Sequence, residues 1–138
     1  MGEQKAFLRI LDANYNRSKE ALRVCEDLSR FLMNSAPLSL AFKKSRHEIT
    51  RLILRFPHSY SKLVSARNSA ADVGRNRTLQ DRVKIRWQDI MASNIQRAQE
   101  AVRVMEEVAK VLAPAQSDGF QKLRYRLYEL ERKTVQKF

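Results

Sequence analysis

The residues best suited to chemistry in this chain come in two matching sets. Asn14, Arg17 and Glu20 lie in ANYNRSKEALRVCEDLSRFL, and Asn94, Arg97 and Glu100 lie in ASNIQRAQEAVRVMEEVAKVL, 80 positions later and without a gap. Ala21, Arg23, Val24, Glu26 and Leu32 recur in the same register as Ala101, Arg103, Val104, Glu106 and Leu112. Asparagine offers a donor and an acceptor, arginine a planar fork of donors, and glutamate an anion for a metal or a substrate group. A repeated set of this kind suits a phosphorylated ligand.

On a helix of about 100° per residue, Asn14 and Arg17 fall inside the apolar arc formed by Ala21, Val24, Cys25, Leu28 and Leu32. Glu20 sits on its border, and Asn94, Arg97 and Glu100 occupy the same places in the second copy. Arg46 and Arg124 likewise interrupt the apolar stripes of AFKKSRHEITRLI and GFQKLRYRLYELE. Arginine in a core stripe is costly unless paired. Two readings follow. One is internal pairing, Arg17 with Glu20 and Arg97 with Glu100. The other is a polar pocket at one end of a bundle, lined by Arg17, Arg46, Arg97 and Arg124, with positive charge left over for an anion. Arg23 to Asp27 and Glu26 to Arg30 read as ordinary i,i+4 pairs on a solvated face, with a dimer or inter-hairpin contact as the competing use.

DVGR, Asp72 to Arg75, is the one loop motif. Gly74 there permits a left-handed turn, and Asp72 either caps the turn or holds Mg²⁺. Arg67 adds a further phosphate ligand. His47 and His58 are isolated from any acid–base or metal-ligand spacing.

The elements that position these residues read as helices throughout. Apolar periodicity predicts helices over about 5–33, 38–55, 79–112 and 119–137, with a short helix and then a loop between 57 and 78. Pro37 and Pro57 read as stops. No stretch alternates as a strand does. The repeat runs through both helices of each half, 1–56 and 79–138, joined by 57–78. The expected fold is all-α: a single domain in which a duplicated helical hairpin forms an antiparallel four- to five-helix bundle.

Composition narrows the function. The chain has 138 residues, 43% hydrophobic and 30% charged, and a net charge of +12, so an anionic partner is expected. Three glycines exclude a glycine-rich phosphate loop. One cysteine excludes an internal disulfide or a cysteine-rich zinc site. With neither a membrane-length apolar run nor a signal-like N-terminus, a cytoplasmic location is expected.

The ordered blocks ILDANYNRSKEALRVCEDLSRF, SRHEI, SARNSAADVG, ASNIQRAQEAVRVMEE and LRYRLYELE cover nearly the whole chain. They resemble the small all-helical monofunctional hydroxymethylpyrimidine phosphate kinases of thiamin biosynthesis, found alone or fused ahead of thiamine phosphate synthase. The sequence departs from that pattern at Asn68, where an acidic residue more commonly follows the arginine. The resemblance implies transfer of phosphate from ATP, with Mg²⁺, to 4-amino-5-hydroxymethyl-2-methylpyrimidine phosphate. It implies thiamine phosphate synthase as pathway partner and no nucleic-acid or membrane partner, and it leaves a homodimer open. Glu20, Glu100 and Asp72 are then the candidates for holding Mg²⁺ or orienting the substrate. Asn14, Arg17, Arg46, Arg67, Asn94, Arg97 and Arg124 are the candidates for binding substrate and phosphate. The rivals are a basic nucleic-acid-binding module, another enzyme with an arginine-lined bundle pocket, and a regulatory domain without activity.

Overall fold

A computed structural model describes residues 2–76 and 86–138. Among the described residues five α-helices follow one another: α1 Gly2–Asp27, α2 Ala36–Leu54, α3 Tyr60–Ala66, α4 Trp87–Leu112 and α5 Ser117–Val135. Helix α1 runs on into a π-helical turn, Leu28–Leu32, and a 3₁₀ turn, Pro114–Gln116, precedes α5. Among the described residues there is no strand, and no helix is long and apolar enough to cross a membrane.

Local chemistry sets most of the boundaries. Ser35 caps α2 by accepting the Leu38 amide at 3.3 Å, and Pro37 sits in the first turn, where its missing N–H costs nothing. Pro37 therefore opens the second helix as well as closing the first. Asn34, just before it, turns the chain with φ 51°, a left-handed conformation asparagine tolerates. Ser59 caps α3 in the same way, accepting the Lys62 amide at 3.2 Å. The long third helix expected from about Leu79 begins at Trp87. Arg86 is extended (φ −130°, ψ 152°), and residues 77–85 lie outside the described part.

Contacts between helix ends fix the directions. Gln4, at the start of α1, lies 3.3 Å from His58, just past the end of α2. Phe56 meets Phe120, at the start of α5, with ring centroids 6.0 Å apart. Glu106 in α4 pairs with Arg124 in α5, and Trp87 meets Phe138 at 5.5 Å. The start of α1, the end of α2, the start of α5 and the end of α4 thus share one end of the bundle. Each long helix runs antiparallel to its neighbours, with α1 and α4 side by side at the centre. Their shared core includes Leu11, Leu22 and Cys25 on one side and Met91, Ile95 and Met105 on the other, all fully buried. Phe42, Ile49, Phe120, Leu123 and Leu127 close it from α2 and α5. At about 2 kcal/mol per buried side chain, this packing dominates the stability.

One glycine serves close approach. Gly119 faces Leu52 at the entry to α5, and a Cβ there would run into the Leu52 side chain.

Candidate functional site

The seam between α1 and α4 holds a groove of about 530 Å³. It is lined by Asn14, Arg17, Glu20, Ala21 and Val24 and by the same five residue types from the second copy, Asn94, Arg97, Glu100, Ala101 and Val104. Antiparallel crossing brings the repeats face to face, so the groove carries approximate two-fold symmetry. Its floor is small: Ala21 and Ala101 are buried, which lets the two helices close up.

The polar groups divide by depth. Asn14 and Asn94 are buried, and each donates Nδ2–H to the carbonyl four residues back, Ile10 at 2.9 Å and Ile90 at 2.8 Å. That bond fixes the amide and leaves its oxygen without a partner among the described residues. Arg17, Glu20, Arg97 and Glu100 are exposed at the rim. None of the four makes an ion pair or hydrogen bond among the described residues, so the internal pairing Arg17–Glu20 and Arg97–Glu100 does not form. Two forks of donors and two carboxylates are free to meet a ligand.

Arg46 and Arg124 are not part of this groove. Arg46 gives Nε and Nη2 to Glu26 Oε1 at 3.2 and 3.0 Å. Arg124, 7% exposed, pairs with Glu106 at 2.8 and 3.3 Å, donates to the Tyr128 hydroxyl at 3.0 Å and lies 5.2 Å from the Tyr125 ring. The hydrogen bond it donates to Glu106 raises the pKa of Arg124, which stays charged. These repeat-related ion pairs pin α1 to α2 and α4 to α5. The four-arginine wall is therefore two arginines, Arg17 and Arg97, and the ladder pair Glu26–Arg30 gives way to a longer-range partner, Arg46. The reason is geometric. A single apolar arc assumes one contact face, whereas α1 packs against α2, α3 and α4, and the flank bearing Glu26 is covered by α2.

Beyond its first-half end, the groove opens into a second cavity of about 540 Å³ between α1 and the loop after α3. The two share Asn14, Arg17 and Glu20. Asp12, almost fully buried, anchors the loop by accepting Arg67 Nε at 2.7 Å and Nη2 at 2.8 Å. Arg67 is thus held by a carboxylate, with its side chain 40% exposed at the cavity wall and its pKa raised by that hydrogen bond. Asn68 caps the next turn by accepting the Ala71 amide at 3.2 Å, and Asp72 accepts the Gly74 amide at 2.9 Å. Gly74 does not take the left-handed conformation expected of it. Asp12 escaped the sequence reading, although an aspartate among Leu8, Leu11 and Tyr15 on one helical face was its available signal.

The second cavity also collects Asp72 and Glu20, with Glu100 across the groove. Among the described residues no three His, Cys, Asp or Glu side chains converge. That donor set fits Mg²⁺ carried in by phosphates, which keeps waters and takes one or two carboxylates, better than a protein cage. His47 is exposed, and neither it nor His58 lines the groove.

A model of the ThiD2 family matches residues 9–133. The chain belongs to the ThiD2 family. Proteins named thiamine-phosphate synthase are its relatives. It is 34% identical over 129 residues to that of Nostoc punctiforme, covering 93% of this chain and 35% of that protein. It is 35% identical over 127 residues to that of a Synechocystis species, covering 91% and 35%. For Rhodopirellula baltica the figures are 32% over 127 residues, 91% and 33%. This ThiD2 chain spans about a third of the length of each of these relatives. No solved structure matches it. The matched region contains every residue of the α1–α4 groove.

Proposed function

We propose that the chain is a phosphotransferase of thiamin biosynthesis that moves the terminal phosphate of ATP onto 4-amino-5-hydroxymethyl-2-methylpyrimidine phosphate, giving the diphosphate. The observation that carries this reading is the doubled set of unpaired Arg17, Arg97, Glu20 and Glu100 around two buried asparagines in one groove. Membership of the ThiD2 family and relatives named thiamine-phosphate synthase support the pathway. Such a synthase consumes the pyrimidine diphosphate, and a cytoplasmic location suits both steps.

The chemistry asks for positioning and charge neutralisation more than for covalent help. The attacking atom is an oxygen of the acceptor phosphate, largely ionised at neutral pH, so no base need remove a proton. That oxygen bonds to the terminal phosphorus of ATP, the bond to the bridging oxygen breaks, and ADP leaves with the electron pair. Arg17 and Arg97 bring the two anions together and bind the charge that spreads over the transferred group. Asn14 and Asn94 offer fixed amide oxygens to the exocyclic amine of the pyrimidine. Glu20, Glu100 and Asp72 would hold Mg²⁺, which supplies charge neutralisation on the polyphosphate. Arg46 and Arg124 act at a distance, by holding the hairpins that carry the groove.

Product analysis tests the proposal. Wild-type protein should form the pyrimidine diphosphate and ADP in equal amounts, seen by phosphorus NMR, only when ATP, Mg²⁺ and the pyrimidine monophosphate are all present. Folded protein that forms no diphosphate would overturn it.

A further inference from the structure

The groove is symmetric, but its surroundings are not, and the asymmetry separates the two substrates. Among the described residues, the cavity between α1 and the loop after α3 lies beside the first repeat. There Arg9 and Arg17 stand on one side of α1, two turns apart and about 12 Å along the helix. A smaller cavity continues past Arg9 to Lys5. Lys5, Arg9 and Arg17 have no ion-pair or hydrogen-bond partner among the described residues. In the second repeat the residue equivalent to Arg9 is Asp89, already paired with Arg86 at 3.2 Å, and the residue equivalent to Asp12 is Ala92. Among the described residues, the second repeat thus has no counterpart of this cation or of the carboxylate that anchors a loop.

We infer that the α1–loop cavity binds the metal-chelated polyphosphate of the nucleoside triphosphate, with Arg9 as a specificity residue, while the Arg97 end of the groove takes the acceptor phosphate. This rests on the phosphotransferase reading above and assigns its two sides. A line of cations longer than one phosphate suits a polyphosphate chain. The carboxylates Glu20 and Asp72 in the same cavity suit a chelate, which presents metal as well as oxygen, better than a bare anion. Arg17 and Glu20 line both cavities and therefore sit where the phosphate changes hands.

Titration calorimetry with Mg·ATP and with magnesium tripolyphosphate, on wild type, Arg9→Ala and Arg97→Ala, tests the assignment. Both substituted side chains are exposed, and circular dichroism verifies that the variants fold. Wild type should bind both probes, Arg9→Ala at least about tenfold more weakly, and Arg97→Ala within about twofold of wild type. Equal weakening by the two substitutions, no weakening by Arg9→Ala, or no binding by wild type would overturn it. Binding that depends on Arg9 in a protein that forms no diphosphate upholds this site and overturns the acceptor reaction. Diphosphate formation with nucleotide affinity indifferent to Arg9 does the reverse.

Discussion

Replacing Glu106 by Gln should remove a large share of the stability without touching the groove. The change keeps the shape of the side chain, deletes its charge and turns one of its two acceptors into a donor, so Arg124 loses its counter-ion and one hydrogen bond while it remains 7% exposed. An uncompensated buried charge of this kind costs about 3–5 kcal/mol. The guanidinium keeps the Tyr128 hydroxyl and the faces of Tyr125 and Tyr128, which are themselves half open to water, so the lower end applies, about 3 kcal/mol. Over 138 residues, an unfolding entropy of about 2 cal/mol/K per residue turns that into a fall in Tm of about 10 °C. Urea unfolding followed by circular dichroism reads it as a shift in midpoint at constant slope. The double variant Glu106→Leu with Arg124→Met, which removes both charges, should return to within about 1 kcal/mol of wild type. A single variant that loses less than about 1 kcal/mol, or a double variant as unstable as the single, would refute the view that this pair is a structural pin.

Three further outcomes follow from the same packing. Burial pushes the Cys25 thiol up to about 12 from its ordinary value near 9, so between those pH values the unfolded chain loses a proton that the folded chain keeps. Stability should therefore fall with rising pH by about 1.4 kcal/mol per unit from this group, and Cys25→Ala should flatten that slope in alkaline urea titrations. Gly119→Ala, which elsewhere in a helix stabilises, should cost about 1–3 kcal/mol because its Cβ meets buried Leu52, with partial rescue by Leu52→Ala. Asp12→Asn should loosen the loop after Arg67 by removing the anion that holds it, so hydrogen exchange near residues 67–76 accelerates while exchange in α4 and α5 stays unchanged.

The repeat was legible because its signal is local. Identical residue types at a constant offset, on helices with clear periodicity, predict two matching hairpins, and their antiparallel meeting places Asn14, Arg17 and Glu20 opposite Asn94, Arg97 and Glu100. What the sequence hid was pairing across helices. Glu26 and Arg46 are 20 residues apart, and Asp12 and Arg67 are 55 apart, so no helical wheel places them together. A wheel also treats burial as one arc, and α1 has three neighbours. Interruption of an apolar stripe, as at Arg46 and Arg124, thus points to a pocket and to an internal ion pair equally well. The start of α4 was hidden for a similar reason: apolar spacing continues upstream of Trp87, while the backbone at Arg86 is extended.

On the proposed function, Arg17 and Arg97 serve the ligand, whereas Arg46 and Arg124 serve the fold. The most direct test is kcat/KM for diphosphate formation by Arg17→Ala and Arg97→Ala, with urea stability measured on the same preparations. Both variants should keep wild-type stability within about 0.5 kcal/mol, as exposed and unpaired side chains do. Both should lose at least about 100-fold in kcat/KM. Wild-type turnover in the two variants, or activity that declines only in step with lost stability, would contradict the account.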